Sequence, residues 1–131
     1  MNLMTRIIKS DDCGNSPKNL LVESISIALA LGDGKSLSGS VTEDIRLNII
    51  GSHELQGKES FNTRLKQVTN DKVTEIVIQH VATHGKAGAV NGTKKLKSGK
   101  AYAFCDVYEF SGVKGTSVQG ITSYVIELKS M

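Results

Sequence analysis

Ala101-Tyr-Ala-Phe-Cys-Asp-Val-Tyr-Glu-Phe110 is the stretch of sequence that decides the fold, because it is apolar at nearly every position. Successive side chains of a β-strand point to opposite faces, whereas a helix brings every third or fourth residue together. Aromatic and β-branched residues also favour strands. The stretch therefore predicts a strand with two apolar faces. One face carries Ala103, Cys105 and Val107, and the other carries Tyr102, Phe104, Tyr108 and Phe110.

Apolar residues recur with a period of two on both sides of this strand, over residues 72–128. β-branched residues dominate residues 73–83, and a weaker strand is predicted at Ala87–Leu96. The last strand is predicted at residues 121–128. Gly, Asn and Ser separate these runs, as is typical of turns. We therefore predict four antiparallel strands in the second half of the chain.

The first half of the chain shows helical spacing instead. Ser16 and Pro17 are typical of a helix start, since the hydroxyl caps free amides and the proline ring fits the first position. We expect this helix to stop at Gly32 and Gly34. Alternation at residues 44–50 predicts a strand, residues 51–54 predict a turn, and residues 58–68 predict a second, amphipathic helix. This order predicts an α+β fold in which the helices cover one face of a curved antiparallel sheet.

Length and composition limit the class of protein. The 131 residues suffice for one domain, expected over residues 1–131 with its core at about residues 17–128. A charged fraction of 22% excludes wholesale disorder, and a net charge of +3 gives no support for nucleic-acid binding. Neither a membrane span nor a signal peptide is recognisable. We therefore expect a soluble cytoplasmic protein that keeps Cys13 and Cys105 reduced.

The two apolar faces of the Ala101–Phe110 strand need different partners. Two helices can cover one face, whereas the second face of an antiparallel sheet is usually polar and solvated. We therefore expect the aromatic face, with Phe104, Tyr108 and Phe110, to pack against a second copy of the chain in a homodimer. Two alternatives remain: the chain's own loops bury this face, or a different protein binds it.

Short landmarks recur in a set order along the chain. They are Leu31-Gly-Asp33, Glu43-Asp44, Gly57-Lys-Glu59, the segment from Lys100 to Phe110, and Gly120-Ile-Thr-Ser-Tyr124. Their order and spacing resemble the nuclear transport factor 2-like superfamily, including its SnoaL-like polyketide-cyclase and ketosteroid-isomerase branches. The resemblance implies a cone-shaped, cystatin-like fold in which a bent sheet wraps around the helices. It also implies an apolar pocket at the open end and frequent dimerisation through the sheet.

The resemblance allows the catalytic positions of the ketosteroid-isomerase branch to be compared with this sequence. In that branch a base removes a proton beside a carbonyl, while a tyrosine and a protonated aspartic acid stabilise the oxyanion. The tyrosine position falls on Ile25, the base on Ile49 and the acid on Ala103, and all three are aliphatic. We therefore expect no such chemistry, and instead a small apolar molecule bound between helices and sheet. The predicted pocket walls are Ile25, Ile49, Ala103 and Cys105.

Three polar residues leave an enzymatic alternative open, a lyase, isomerase or hydrolase. His80 shares the parity of Ile76 and Ile78, which would point it into the pocket as a general acid or base or as an anchor for a polar ligand group. The alternative is that it is an ordinary sheet histidine or faces solvent. His84 and Asp106 are the further candidates, although for Asp106 an interface contact or a structural hydrogen bond is the favoured interpretation. His80 and His84 would lie about 13 Å apart on a strand, too far to share a metal ion. No metal site and no other cofactor is expected.

Overall fold

A computed structural model of the protein describes residues 5–32, 39–65, 71–113 and 115–129. The predicted stop at Gly34 and the predicted helix end at Val68 lie outside these residues. Within them, neither helix has the length and apolar character needed to cross a membrane. The elements are strand β1 (Arg6–Lys9), a 3-10 turn (Asp11–Cys13), helix α1 (Pro17–Leu31), strands β2 (Val41–Ile49) and β3 (His53–Gln56), helix α2 (Lys58–Leu65), and strands β4 (Val73–His84), β5 (Ala87–Leu96), β6 (Ala101–Phe110) and β7 (Val118–Leu128).

Helix α1 begins and ends where its capping residues predict. The Ser16 hydroxyl accepts a hydrogen bond from the Asn19 amide at 3.1 Å, and Pro17 occupies the first turn. Gly32 ends the helix with a φ of 75°, in the left-handed region that glycine adopts without a steric penalty. Its amide donates to the Ala28 carbonyl at 2.8 Å. Local sequence therefore fixes both ends of the longer helix.

The seven strands form one curved, unclosed sheet in the order β1-β4-β5-β6-β7-β2-β3. The antiparallel succession β4-β5-β6-β7 is as predicted. The sheet as a whole is mixed, because β1 pairs parallel to β4 and β2 pairs parallel to β7. Strand β1 was not predicted, and the β3 region was predicted to be a turn. Each of these strands has four residues, too few to show a period of two.

The core lies between the helices and the sheet face that they cover, here called the inner face. Helix α1 buries Val22 and Ile25 completely against this face, and α2 buries Phe61 and Leu65. Ile78 is the matching fully buried residue on β4. The opposite side of the sheet is called the outer face. These contacts support the predicted α+β architecture.

The faces of β6 are opposite to those that we expected. Phe104, Tyr108 and Phe110 are 7%, 2% and 0% exposed, so they fill the core beneath α1. Ala103, Cys105 and Val107 therefore lie on the outer face. The physical reason is that a curved sheet leaves a deep space under a single helix, and large rings fill it better than alanine and cysteine do. The three aromatic residues are not available to a second copy, and their assignment as dimer contacts is wrong.

Candidate functional site

His80 lies on the outer face because β4 contains a β-bulge. Ile78 pairs with Gly92 and His80 pairs with Asn91, so Gln79 is an extra residue without a partner on β5. An extra residue reverses the side on which every later side chain of the strand points. The His80 side chain is 67% exposed, so of the two expected placements the solvent-facing one is observed, and His80 does not point inward with Ile78.

His80 begins a row of outward-facing residues that crosses four strands. Strand register places His80 opposite Asn91, Asn91 opposite Cys105, and Cys105 opposite Tyr124. His80 Nδ1 lies 3.0 Å from Asn91 Oδ1, and Asn91 Nδ2 donates to Gln79 Oε1 at 3.5 Å. Neighbouring strands are about 4.8 Å apart, so the row spans roughly 14 Å. Its two ends differ in chemistry, since one is polar and the other aromatic.

A groove of about 440 Å³ follows this row on the outer face. Its lining is mostly apolar, and the small side chains make a shallow floor between larger ones. The polar groups collect at one end. The floor is formed by Ala82, Ala89, Ala103 and Cys105, the rim by Tyr124 and Ile126, and the polar end by Gln79, His80 and Asn91. The sequence analysis named three of these residues, but it missed Asn91, Tyr124 and Ile126.

The predicted pocket walls are not brought together. Ala103 and Cys105 line the outer groove. Ile25 is 0% exposed on α1, in the core on the other side of the sheet, and Ile49 is half-buried at the end of β2. The prediction of one pocket between helices and sheet lined by all four is therefore wrong. It depended on the face assigned to β6, which a period of two alone cannot fix.

Asp106 lies on the inner face in a buried polar cluster. The Ser26 hydroxyl donates to Asp106 Oδ2 and the Ser123 hydroxyl donates to Oδ1, both at 2.7 Å. Since Ser26 gives its only proton to Asp106, the Tyr108 hydroxyl donates in turn to Ser26 Oγ at 2.5 Å. Burial raises the pKa of Asp106, against the opposing effects of these serine bonds and Lys94. Ser26 and Ser123 were not predicted, since they reach Asp106 only through tertiary packing.

The three residues considered for catalysis do not converge. His84, like His80, is exposed on the outer face, at the end of β4, whereas Asp106 is 3% exposed on the inner face. Burial, together with the nearby Asp106 charge, raises the pKa of the Cys105 thiol, which disfavours the nucleophilic thiolate. Across the described ranges, no three or more His, Cys, Asp and Glu side chains cluster as a metal site would require. Asp12 Oδ2 lies 4.0 Å from His80 Nε2 and both side chains are largely exposed, so the described part of the outer groove offers hydrogen-bonding groups but no hydrogen-bonded acid-base pair.

A second groove of about 320 Å³ lies beside the first on the outer face and is more polar. Arg46 and Glu109 form its charged pair, with 4.0 Å between Arg46 Nη2 and Glu109 Oε1. Asn48 and Thr122 add neutral polar groups. The groove exists because β2 pairs parallel to β7, a pairing that the sequence did not reveal.

Comparison with known proteins identifies the fold. Neither the protein-family models nor the curated proteins contain a match to this chain. Among solved structures, it is similar to a nuclear transport factor 2-like protein of unknown function from Cytophaga hutchinsonii, at 23% identity and a TM-score of 0.60 over 82% of this chain and 97% of that one.

Two further structures resemble the chain at low identity. One is an LEH-like epoxide hydrolase from M. tuberculosis, with 20% identity and a TM-score of 0.64 over 82% of this chain and 80% of that one. The other is an uncharacterised bacterial protein with a cystatin-like fold from Silicibacter pomeroyi, with 16% identity and a TM-score of 0.64 over 81% and 73% of the two chains. The chain therefore has the nuclear transport factor 2-like fold, as its landmarks predicted.

Proposed function

We propose that this protein binds a small, largely apolar molecule in the groove on the outer face of the sheet. The observation that carries the proposal is the groove itself, whose 440 Å³ lie within the 300 to 1,000 Å³ typical of ligand sites. Such sites are mostly apolar with a few polar groups that orient the ligand. The alanine and cysteine floor supplies the first property, and His80 with Asn91 supplies the second.

Binding is a better match to this groove than catalysis. An acid-base enzyme needs a second group that holds or receives the proton beside the reacting atom. The hydrogen-bond partner of His80 on β5 is the neutral amide of Asn91, and the carboxyl group of Asp106 lies on the other side of the sheet. Asp12 Oδ2 lies 4.0 Å from His80 Nε2, beyond hydrogen-bond distance, and both side chains are more than half exposed. These observations support a binding role for His80.

The proposal is tested by filling the groove. The Ala103→Trp variant places a large ring on the floor, whereas Ala87→Trp places the same ring on the same face outside the groove lining. We expect the neutral dye N-phenylnaphthylamine to bind the native protein saturably in a fluorescence titration. Ala103→Trp should weaken binding by about tenfold or more, and Ala87→Trp should not. Absence of saturable binding, or equal binding by both folded variants, would refute the proposal.

A homodimer formed through the outer face is a second candidate, and specific exposed residues favour it. Val107, Tyr124 and Ile126 are 41%, 46% and 66% exposed beside one another on β6 and β7. The residues facing them across the strands are uncharged, and charged side chains such as Arg46 and Glu109 lie towards the end of the face. Protein interfaces also have apolar centres and polar rims. The predicted dimer would then use the outer face instead of the aromatic residues of the core.

Sedimentation velocity tests this second candidate. The Ile126→Asp variant puts a charge on the most exposed residue of the apolar area, and Leu20→Asp puts one on a leucine of α1 that is 42% exposed. We expect the native protein and Leu20→Asp to sediment as dimers and Ile126→Asp to sediment as a monomer. A monomeric native protein across the micromolar range would rule out the homodimer while leaving the ligand experiment unaffected.

A further inference from the structure

The chemistry at the ends of the groove restricts the kind of molecule that it can hold, provided that the ligand site proposed above is correct. Three features of the groove carry this restriction: the shape of the floor, the ring at one end and the proton positions at the other. The ring and the proton positions belong to the row His80, Asn91, Cys105 and Tyr124, whose members face one another across β4 to β7.

The floor favours a flat molecule. Ala82 and Ala89 lie directly opposite each other on neighbouring strands. Ala103 and Cys105 lie two positions apart on β6, so their side chains point to the same face. These short side chains leave a shelf between the taller Tyr124 and His80 at the two ends of the row. The side chains of His80 and Tyr124 occupy part of the roughly 14 Å span, so a molecule of about two fused rings fills the length that remains between them. A branched aliphatic molecule would touch fewer of the floor atoms.

The aromatic end favours a ring. The Tyr124 side chain is 46% exposed at the rim of the groove, next to Cys105. Two aromatic rings gain about 0.5 to 1.5 kcal/mol beyond area burial when they are offset-stacked or edge to face. An aliphatic chain of equal length gains only the area contribution. Tyr124 therefore discriminates between aromatic and aliphatic molecules.

The polar end favours a neutral hydrogen-bond donor. Asn91 Oδ1 accepts the proton on His80 Nδ1, and Asn91 is held in this orientation because its Nδ2 group donates to Gln79. In the neutral ring, His80 Nε2 is then an acceptor. Asp12 Oδ2 lies 4.0 Å from the same nitrogen, so an anionic group would be repelled there. A hydroxyl group satisfies both conditions.

We propose that the ligand is a flat, fused-ring hydroxyarene. Its rings lie on the floor of small residues with one edge against Tyr124, and its hydroxyl group donates to Nε2 of His80. His80 is then the residue that selects the head group, and Tyr124 the residue that selects the ring.

Titration calorimetry with four probes tests the proposal: β-naphthol, naphthalene, β-naphthoate and decanol. We expect the native protein to bind β-naphthol about tenfold more tightly than each of the other three. His80→Leu should abolish the preference for β-naphthol over naphthalene, and Tyr124→Leu should weaken both ring compounds but not decanol. His84→Leu, a change of the same type on the same face outside the groove lining, should behave like the native protein.

The outcomes separate this inference from the proposed function. If decanol or β-naphthoate binds as tightly as β-naphthol, and Ala103→Trp abolishes binding, the groove is a ligand site and only the hydroxyarene assignment is wrong. If His80→Leu keeps the hydroxyl preference, the assigned role of His80 is wrong. If neither the dye nor any of the four probes binds, the proposed function fails as well. If β-naphthol binding is unchanged in Ala103→Trp, its site lies elsewhere and the inference is overturned.

Discussion

Ile78 and His80 lie two positions apart on β4 but face opposite sides of the sheet, because the unpaired Gln79 stands between them. The segment before α1 holds this bulge in place. The Ser10 amide donates to the Ile78 carbonyl at 3.0 Å, and the Ser10 hydroxyl donates to the Gln79 carbonyl. The bulge thus decides that Val81 enters the core and that His80 reaches the groove.

Deleting Gln79 is expected to be tolerated, because it removes the extra residue of the bulge. Ile78 and His80 then become neighbours, and regular alternation still sends His80 outward and Val81, now 5% exposed, into the core. The deletion loses the hydrogen bond from the Ser10 hydroxyl to the Gln79 carbonyl, so we expect a loss of about 1 to 2 kcal/mol in the free energy of unfolding. Inserting an alanine after His80 should instead turn Val81 out of the core and cost more than about 3 kcal/mol. Urea denaturation measures both, and equal stability of the two variants would contradict the role of this register.

Asp106→Asn is expected to remove a pH dependence of stability. Burial raises the pKa of Asp106 in the folded protein above its ordinary value of 3.8, so the unfolded chain loses this proton at lower pH than the folded one. The contribution of the Asp106 carboxyl group to the free energy of unfolding is therefore complete below pH 3.8, and it is lost as the pH rises towards the pKa of the folded state. Relative to Asp106→Asn, the native protein should become less stable as the pH rises from about 3 to 7.

Asp71→Asn is a control of opposite sign for this experiment. The Ser98 hydroxyl donates to Asp71 Oδ2 at 2.5 Å, and this bond lowers the pKa of Asp71. Relative to Asp71→Asn, the native protein should therefore become more stable as the pH rises through the acidic range. Urea midpoints recorded from about pH 3 to 8 measure both trends. If the urea midpoints of Asp106→Asn and of the native protein change in parallel over this pH range, burial does not raise the pKa of Asp106.

The sequence predicted the parts of the fold that depend on long, regular patterns. Strands β4 to β7 have ten or more residues each, so their alternation stands out from turns. The ends of α1 were also predictable, since Ser16 and Gly32 act on neighbouring backbone groups. Strands β1 and β3 were not, because four-residue strands are stabilised by the partner strand and not by their own pattern.

The candidate site was less predictable, for physical reasons that are specific to its residues. Alternation placed Asp106 on the same face as Tyr108, as the structure does, but it could not show which face the helices cover. The partners of Asp106 are distant in sequence, since Ser26 is 80 residues away. The position of His80 depends on one bulge residue, Gln79, whose polar side chain is equally common in a regular strand. Each error in the predicted position of a site residue has one of these non-local causes.

Gly92→Ala is expected to be strongly destabilising because Gly92 lies on β5 opposite the bulge of β4. A Cβ atom at this position would lie 2.1 Å from the Val77 carbonyl oxygen and 3.0 Å from Cζ of Phe104. The first contact is with backbone, so relief requires β4 and β5 to separate. We expect a loss of at least about 3 kcal/mol in the free energy of unfolding. Gly112→Ala, where a Cβ meets nothing within 4 Å, should stay within about 0.5 kcal/mol of the native protein.

Lys18→Met is expected to loosen the end of the molecule where α1 begins. The Lys18 ammonium group donates to the Gly85 carbonyl at 2.7 Å and to the Val113 carbonyl, and it lies 4.6 Å from the centre of the Phe110 ring. Methionine keeps the length of the apolar stem but leaves both carbonyls without this donor. We expect a loss of about 1 to 3 kcal/mol in the free energy of unfolding.

The matched control for this change is Lys95→Met, which alters an exposed lysine of β5 and should cost less than about 0.5 kcal/mol. Amide hydrogen exchange adds a local readout, because the turn at Gly85 should lose protection in Lys18→Met before the β6–β7 pairing does. Equal stability of the two variants would show that water replaces the lysine at both carbonyls. In that case Lys18 would not anchor α1, which would be held by its apolar face, with Val22 and Ile25, and by the hydrogen bond from Ser26 to Asp106.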